Sequence, residues 1–451
     1  MPLRACLAAT LALLLAGQTP APQPTATAFD PLRGSLARRE PLAVYSPDPA
    51  DPWNQTFFLL FTRSIQSRVI ADGALPFAAG DERLRLSDRR VTRIEDGDRA
   101  IDPLYPSWLW MGSTHFDFEP GDAFRILQEP GHSRLLAALQ GVQRTAASRP
   151  PLARALMQAD LWSAFDMLHA LRRSRRAMQA TCPVALQPRQ QQKLDRAETL
   201  LPPLATTMRA LALSRDEIAG LPDTYSAAAT RLGLPDLLAN RDGWMEIRWF
   251  PRRSHDDAAG YRRAARVFAR PAAPPDDDAA FLNRLREQPG GARGALDSLA
   301  LLTQLLLVAT DGTAVPSSIA FDVQFRGTAG AVPEYELSRR RLLSFPSTGG
   351  LVPFEADMPA YLPFAGNDFS FATPPSLDAE PVIAPLATRC SVCHGTAAGA
   401  EHLKSFSMIV APGHAVPPVV RLTSDRNVHA QDVAGHKMGM DDFKGLRALW
   451  R

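Results

Sequence analysis

The hydrophobic periodicity of this 451-residue chain changes along its length, and this change limits the possible folds more than any other feature. Leu135, Leu139 and Val142 recur at the spacing of one helix face. Two later segments, 245–249 and 319–325, alternate apolar with polar residues, which is the period of half-buried strands. The sequence therefore predicts an α+β protein whose large N-terminal part contains both kinds of element.

Other segments predict their structure less directly. The apolar run from Phe57 to Phe61 is predicted to be strand-like. Residues 295–309 are strongly apolar but too short to span a bilayer, so they are predicted to form a buried core helix. Ser214 and Glu217 have the spacing of a capping box, which predicts the start of a short helix. The Pro374-Pro375 pair predicts a linker.

Residues 1–28 predict a secretory signal peptide. A short basic region precedes an apolar run from Ala5 to Ala16, and Ala26-Thr27-Ala28 offers a cleavage site, with Thr19-Pro20-Ala21 as a weaker alternative. A membrane anchor is disfavoured, because the apolar run has about twelve residues whereas a spanning helix needs about twenty. Cleavage would place the mature chain in the periplasm or outside the cell, without a transmembrane segment.

The charge of the chain does not indicate a nucleic-acid partner. The formal net charge is only +3, and no aromatic side chains interleave the arginine clusters. Such clusters usually form solvated faces, and none is assigned a function. They comprise Arg172, Arg173, Arg175 and Arg176 in one group, and Arg339, Arg340 and Arg341 in the other.

The one strong motif is Cys390-Ser391-Val392-Cys393-His394. Cysteines three apart on a helical turn face the same side, so each thiol can add to one vinyl group of a haem while His394 ligates the iron. A zinc site would need a further cysteine pair or a histidine at close spacing, and the sequence has no second cysteine pair. A thioredoxin-like redox pair would need a βαβ setting, and no strand is evident before the motif. Together with the signal peptide, the motif predicts one covalently bound haem c.

The surroundings of this motif resemble a class I, mono-haem c-type cytochrome domain. In that family one helix precedes the motif and another closes the domain. Residues at helical spacing fit both positions here: Val382, Ile383, Leu386, Cys390 and Cys393 before the iron ligand, and Phe443, Leu446 and Trp450 within 441–451. The resemblance implies a small all-α cytochrome c-like haem module over residues 373–451.

The rest of the mature chain, residues 29–372, is predicted to be a mixed α and β region that resembles no family. Its helical stretch, about 132–240, could form a subdomain of its own. The region contains no nucleophile elbow, P-loop, dinucleotide fingerprint or metal-spaced His/Glu cluster. Cys182 is predicted to be a small buried apolar residue, or to pair with another chain. The scattered histidines are predicted to be structural or surface residues: His115, His132, His169 and His255.

The resemblance also implies a methionine as the sixth iron ligand, from a loop before the last helix. Met438 is the first candidate and Met440 the alternative. Residues 427–437 could instead continue as a helix, which would make both methionines core residues. An open iron site is a further alternative, and so are several other side chains: Met408, His402, His414, His429 and His436.

These observations predict an electron-transfer protein whose large region recognises a periplasmic redox partner. The competing hypothesis is a haem-dependent oxidoreductase, which would normally hold a second redox centre in its large domain. A peroxidase or sensor with an open iron site is a third hypothesis. The sequence leaves open whether the protein is an enzyme.

Overall fold

The computed structural model describes residues 44–48, 50–66, 100–101, 108–112, 126–181, 188–239, 243–247, 263–275, 277, 281, 296–327, 333–354, 359–362, 382–385, 419–420 and 428–450. This part of the chain contains nine α-helices. They are α1 (Pro52–Phe61), α2 (Gly131–Thr145), α3 (Pro151–Thr181), α4 (Pro188–Leu211), α5 (Arg215–Ala219), α6 (Thr224–Leu232), α7 (Arg339–Ser344), α8 (Val428–Gly439) and α9 (Asp441–Leu449).

The same part of the chain contains twelve strands in three sheets. They are β1 (Thr62–Gln66), β2 (Ala100–Ile101), β3 (Trp108–Gly112), β4 (Met245–Ile247), β5 (Arg263–Pro271), β6 (Leu296–Val308), β7 (Ala314–Gly327), β8 (Glu334–Leu337), β9 (Leu351–Phe354), β10 (Pro359–Leu362), β11 (Val382–Pro385) and β12 (Val419–Val420). The presence of both helices and a large sheet confirms the predicted α+β class.

The main sheet is antiparallel and has seven strands in the order β12-β4-β5-β6-β7-β8-β9. Residues 245–247 of the first alternating segment form β4 and residues 319–325 form part of β7, so both strand predictions are confirmed where the chain is described. Leu302 and Val323 pair across β6 and β7, and both are fully buried. One face of these central strands therefore belongs to the hydrophobic core.

Helix α3 is the centre of the core, and it lies within the helical stretch predicted at about 132–240. Its side chains Leu156, Leu161, Phe165 and Leu168 are fully buried. The amide of Gln158 donates to the carbonyl oxygen of Val308 at 2.8 Å and accepts from the backbone N–H of that residue at 2.8 Å. This one side chain thus satisfies both backbone polar groups at the end of β6, which would be costly to bury without partners.

Two predictions from apolar runs are wrong. Residues 296–308 form β6 rather than a core helix; most of the strand is buried on both faces, so its sequence does not alternate. Residues 57–61 belong to helix α1 rather than to a strand. The carboxylate of Asp51 accepts the backbone N–H of Trp53 at 2.9 Å, and Pro52 occupies the first helical position, so the helix has a well-formed start.

The predicted capping box is confirmed at the start of α5. The backbone N–H of Glu217 donates to the Ser214 hydroxyl at 3.1 Å, and the Glu217 carboxylate accepts the Ser214 N–H at 2.8 Å. The predicted closing helix is also present, as α9. The Pro374-Pro375 linker, Cys182 and the signal peptide lie outside the described residues.

The prediction of an all-α C-terminal module is not supported. Val382–Pro385, which the helical spacing assigned to a helix, forms strand β11 paired with β10. Its first residues are β-branched, and Pro385 lacks the N–H that a continuing helix would need. Val419 and Val420 form β12, which extends the main sheet beside β4.

The last two helices share the core of the large region. Ala430 and Val433 of α8, with Phe443 and Leu446 of α9, are buried in the same hydrophobic cluster as α3 and the main sheet. Phe443 lies beside Trp162 of α3, with ring centroids 5.8 Å apart. None of the helices in the described part of the chain combines the length and the apolar character needed to cross a bilayer.

Candidate functional site

The predicted covalent attachment site lies outside the described residues. Cys390, Cys393 and His394 fall between the end of β11 at Pro385 and the start of β12 at Val419. These flanking strands are described, and each pairs with a neighbouring strand. The chain on either side of the motif is therefore attached to a sheet.

The two candidate methionine ligands lie at the corner between α8 and α9. Met438 is on the last turn of α8, and Met440 has extended backbone angles at the N-cap of α9. A helix through residues 428–439 agrees with the alternative that this segment continues as a helix, so Met438 is not in a loop. Both side chains are half-buried and pack against the hydrophobic core. His436, on the same helix, is exposed, and the remaining alternative ligands have no described side chain.

The donor set of this region fits a c-type haem in its chemistry. Two thiols can form thioether bonds, the imidazole of His394 can ligate iron, and a methionine sulfur can provide a sixth ligand. Met438 and Met440 are each only partly buried. Among the described residues, no group of three or more His, Cys, Asp or Glu side chains is placed to hold a metal ion.

A buried cation fixes the corner that carries these methionines. The Lys437 ammonium donates to Asp166 of α3 at 2.9 Å and to Asp442 of α9 at 2.5 Å, and all three side chains are almost completely buried. The same ammonium lies 5.6 Å from the centre of the Trp162 ring. The Lys437 side chain thus links α8 and α9 to the central helix α3, and Lys437 immediately precedes Met438 in the sequence.

A second buried ion pair lies one and a half turns away on the central helix. Arg339 donates to Asp160 at 2.7 Å, and both side chains are fully buried. The Tyr45 hydroxyl also donates to this carboxylate, at 2.6 Å. The guanidinium lies 5.1 Å and 5.0 Å from the ring centres of Phe57 and Phe61. The prediction that this arginine belongs to a solvated face is wrong, although its neighbour Arg340 is exposed.

His132 and His169, the two described histidines of the large region, are both buried. One ring nitrogen of His132 lies 3.1 Å from the carbonyl oxygen of Ile126, which ties the start of α2 to the preceding turn. His169 is stacked on Phe165, with ring centroids 6.0 Å apart. Its pKa is lowered, chiefly by burial and by the nearby Arg172. The structure therefore agrees with the prediction that these residues are structural.

Sequence reasoning missed the buried charges of α3, although a signal for them exists. Asp160 and Asp166 lie inside a segment whose other members include Leu156, Leu161 and Phe165. A carboxylate within a strongly apolar helix face is rarely buried without a partner, so each aspartate indicates a cation elsewhere in the chain. The sequence does not identify that cation.

The chain matches no protein-family model, no curated protein and no solved structure. The chemistry of the residues themselves is therefore the basis for a functional proposal.

Proposed function

We propose that this protein carries one covalently bound haem c at Cys390 and Cys393, with His394 as an iron ligand, and that it transfers electrons outside the cytoplasm. The observation that carries the proposal is the Cys-x-x-Cys-His spacing, in a chain whose first 28 residues have the sequence pattern of a secretory signal peptide. The proposal depends on the motif and not on the cytochrome c fold, because the described part of residues 373–451 includes strands.

The haem would supply the one-electron chemistry, and the residues of the chain would hold it. The two cysteines would fix its position, and His394 would set one side of the iron. A methionine on the other side would raise the reduction potential relative to a second histidine. The large region would then provide the surface that recognises a periplasmic redox partner.

Haem attachment predicts a simple outcome under denaturing conditions. Because thioether bonds survive unfolding, wild-type protein matured in a host that ligates haem c should keep its haem after denaturation, while Cys390→Ala/Cys393→Ala should lose it. The measurement is the intact mass of the denatured polypeptide together with its absorption spectrum. Cys182→Ala is the matched control and should retain haem like the wild type. A denatured wild-type chain without the mass of a haem would contradict the proposal.

A haem-dependent oxidoreductase, or a peroxidase or sensor with an open iron site, is the second candidate function. The position of Met438 favours it, since this residue lies within α8 and packs against the core rather than on a loop. An iron without a sixth protein ligand could bind a small molecule directly.

Met438→Ala distinguishes these two functions. If Met438 ligates the iron, we expect the variant to change its absorption spectrum, to lower its reduction potential and to gain binding of carbon monoxide. Met440→Ala is the matched control at the same corner of the fold. Carbon monoxide binding by the reduced wild-type protein would support the open site, and a spectral change in Met440→Ala alone would transfer the assignment to Met440.

A further inference from the structure

We propose that His169 is a pH-sensitive switch that controls how tightly helix α9 docks on the central helix α3. The proposal rests on the packing of these two helices and does not depend on a bound haem. His169 is on α3, and it faces Gly445 of α9.

The imidazole fills the space that a side chain at residue 445 would occupy. A Cβ atom added to Gly445 would lie 2.9 Å from Nε2 of His169, which is closer than real contacts allow. On its other side the ring is nearly parallel to the ring of Phe165, with an interplanar angle of 16°. The residue is only 8% exposed. This close fit leaves little room for the water that a charged imidazole needs.

The charges that face His169 also disfavour its protonated form. Arg172 and Arg173 lie on the same helix, Lys437 approaches from α8, and Asp442 approaches from α9. Burial and the three cations lower the pKa of His169, whereas Asp442 raises it. The Asp442 carboxylate already accepts hydrogen bonds from the Lys437 ammonium at 2.5 Å and from the Phe443 backbone N–H at 2.8 Å. It therefore compensates a new positive charge only in part.

Two further carboxylates engage the neighbouring arginines rather than the histidine. Glu198 of α4 lies 3.3 Å from the guanidinium of Arg172, and Asp441 of α9 lies 4.0 Å from that of Arg173. Both acids are largely exposed, so their fields at the buried imidazole are weakened by solvent. The balance of charges around His169 thus favours the neutral ring when α9 is docked.

The direction of the pH effect follows from linkage. When α9 moves away, His169 enters water and regains an ordinary pKa of about 6.5. The docked form has the lower pKa, so opening takes up a proton and becomes easier as the pH falls below about 6.5. Above that pH the ring is neutral in both forms and no effect remains. Each pH unit that separates the two pKa values can increase the opening equilibrium by up to about tenfold.

Amide hydrogen exchange of residues 441–449 tests the switch, after correction for the intrinsic pH dependence of exchange. In the wild-type protein we expect opening of this helix to increase severalfold between pH 7 and pH 5, about as the separation of the pKa values dictates. In His169→Gln, whose neutral amide cannot take up the proton, the increase should be absent. His132→Gln is the matched control, because it removes an equally buried histidine from α2 and should leave the pH response intact.

The proposal is overturned if wild-type exchange at 441–449 does not change with pH, or if His169→Gln keeps the full response. If His169→Gln does not fold, the imidazole of the wild-type protein can be titrated directly by NMR. A pKa below the ordinary value supports the switch, and a pKa at or above it overturns the switch.

Discussion

Replacing Arg339 with methionine is expected to lower the free energy of unfolding by about 3–5 kcal/mol, because the change leaves a buried carboxylate without its cation. Asp160 is fully buried, and it also accepts a hydrogen bond from the hydroxyl of Tyr45 at 2.6 Å. The variant also loses the contacts of the guanidinium with Phe57 and Phe61. Urea unfolding followed by circular dichroism measures the loss.

Two controls separate the buried charge from a general effect of losing an arginine. Arg340→Met removes the exposed neighbour and should change stability by no more than about 0.5 kcal/mol. Adding Asp160→Leu to Arg339→Met also removes the buried carboxylate, so the double variant should recover much of the lost stability. Equal losses in Arg339→Met and Arg340→Met would contradict this account.

Lys437→Met is expected to have an effect of similar size, about 3–5 kcal/mol, at the other buried ion pair of the central helix. The substitution leaves the buried carboxylates of Asp166 and Asp442 close together without the ammonium that now lies 2.9 Å and 2.5 Å from them. We expect α8 and α9 to loosen first, since Lys437 joins both helices to α3. Thermal unfolding gives the total loss, and hydrogen exchange locates it.

The matched control for Lys437→Met is Lys444→Met on α9. Lys444 is 64% exposed and lies 3.7 Å from the equally exposed Asp441, so its removal should cost less than about 1 kcal/mol. A small loss in Lys437→Met, or increased exchange that spares 428–449, would show that the buried cation does not hold this corner.

Several elements with a regular hydrophobic period were predicted correctly, and two apolar runs without such a period were assigned to the wrong element. Leu135, Leu139 and Val142 lie on a real helix face because only that face contacts the core. Residues 296–308 have no such contrast, since most of that strand is buried on both faces. The Asp51-Pro52 pair was a usable start signal for α1, and it should have outweighed the aromatic run that follows.

Local sequence patterns do not predict which charged side chains are buried. Ser338 caps α7, and this start directs Arg339 into the core while Arg340 faces solvent, so adjacent arginines have opposite surroundings. The partner of Arg339 lies in another helix far along the chain, and no periodicity within 339–341 reveals it. Tertiary contacts therefore determine which of two adjacent arginines is buried.

The sequence predicts a chemistry for the candidate site, but its prediction for the surroundings of the site is not supported. The Cys390 to His394 spacing predicts a covalent haem without reference to the fold, and this stays a prediction. The resemblance to a small cytochrome also implies an all-α module around the motif. The structure does not support this module, because Val382–Pro385 pairs as a strand. Short β-branched segments between prolines can satisfy a helical spacing by chance.

The position of the polar contacts along the sequence has a kinetic consequence. Helix α3 receives hydrogen bonds from Tyr45, Arg339 and Lys437, at sequence separations of 115, 179 and 271 residues. Such distant partners must close long loops before their contacts stabilise the chain, so folding is expected to be slow. The buried Asp166 gains the Lys437 ammonium only when α8 docks, so we expect the last helices of the chain to complete the centre of this core late in folding.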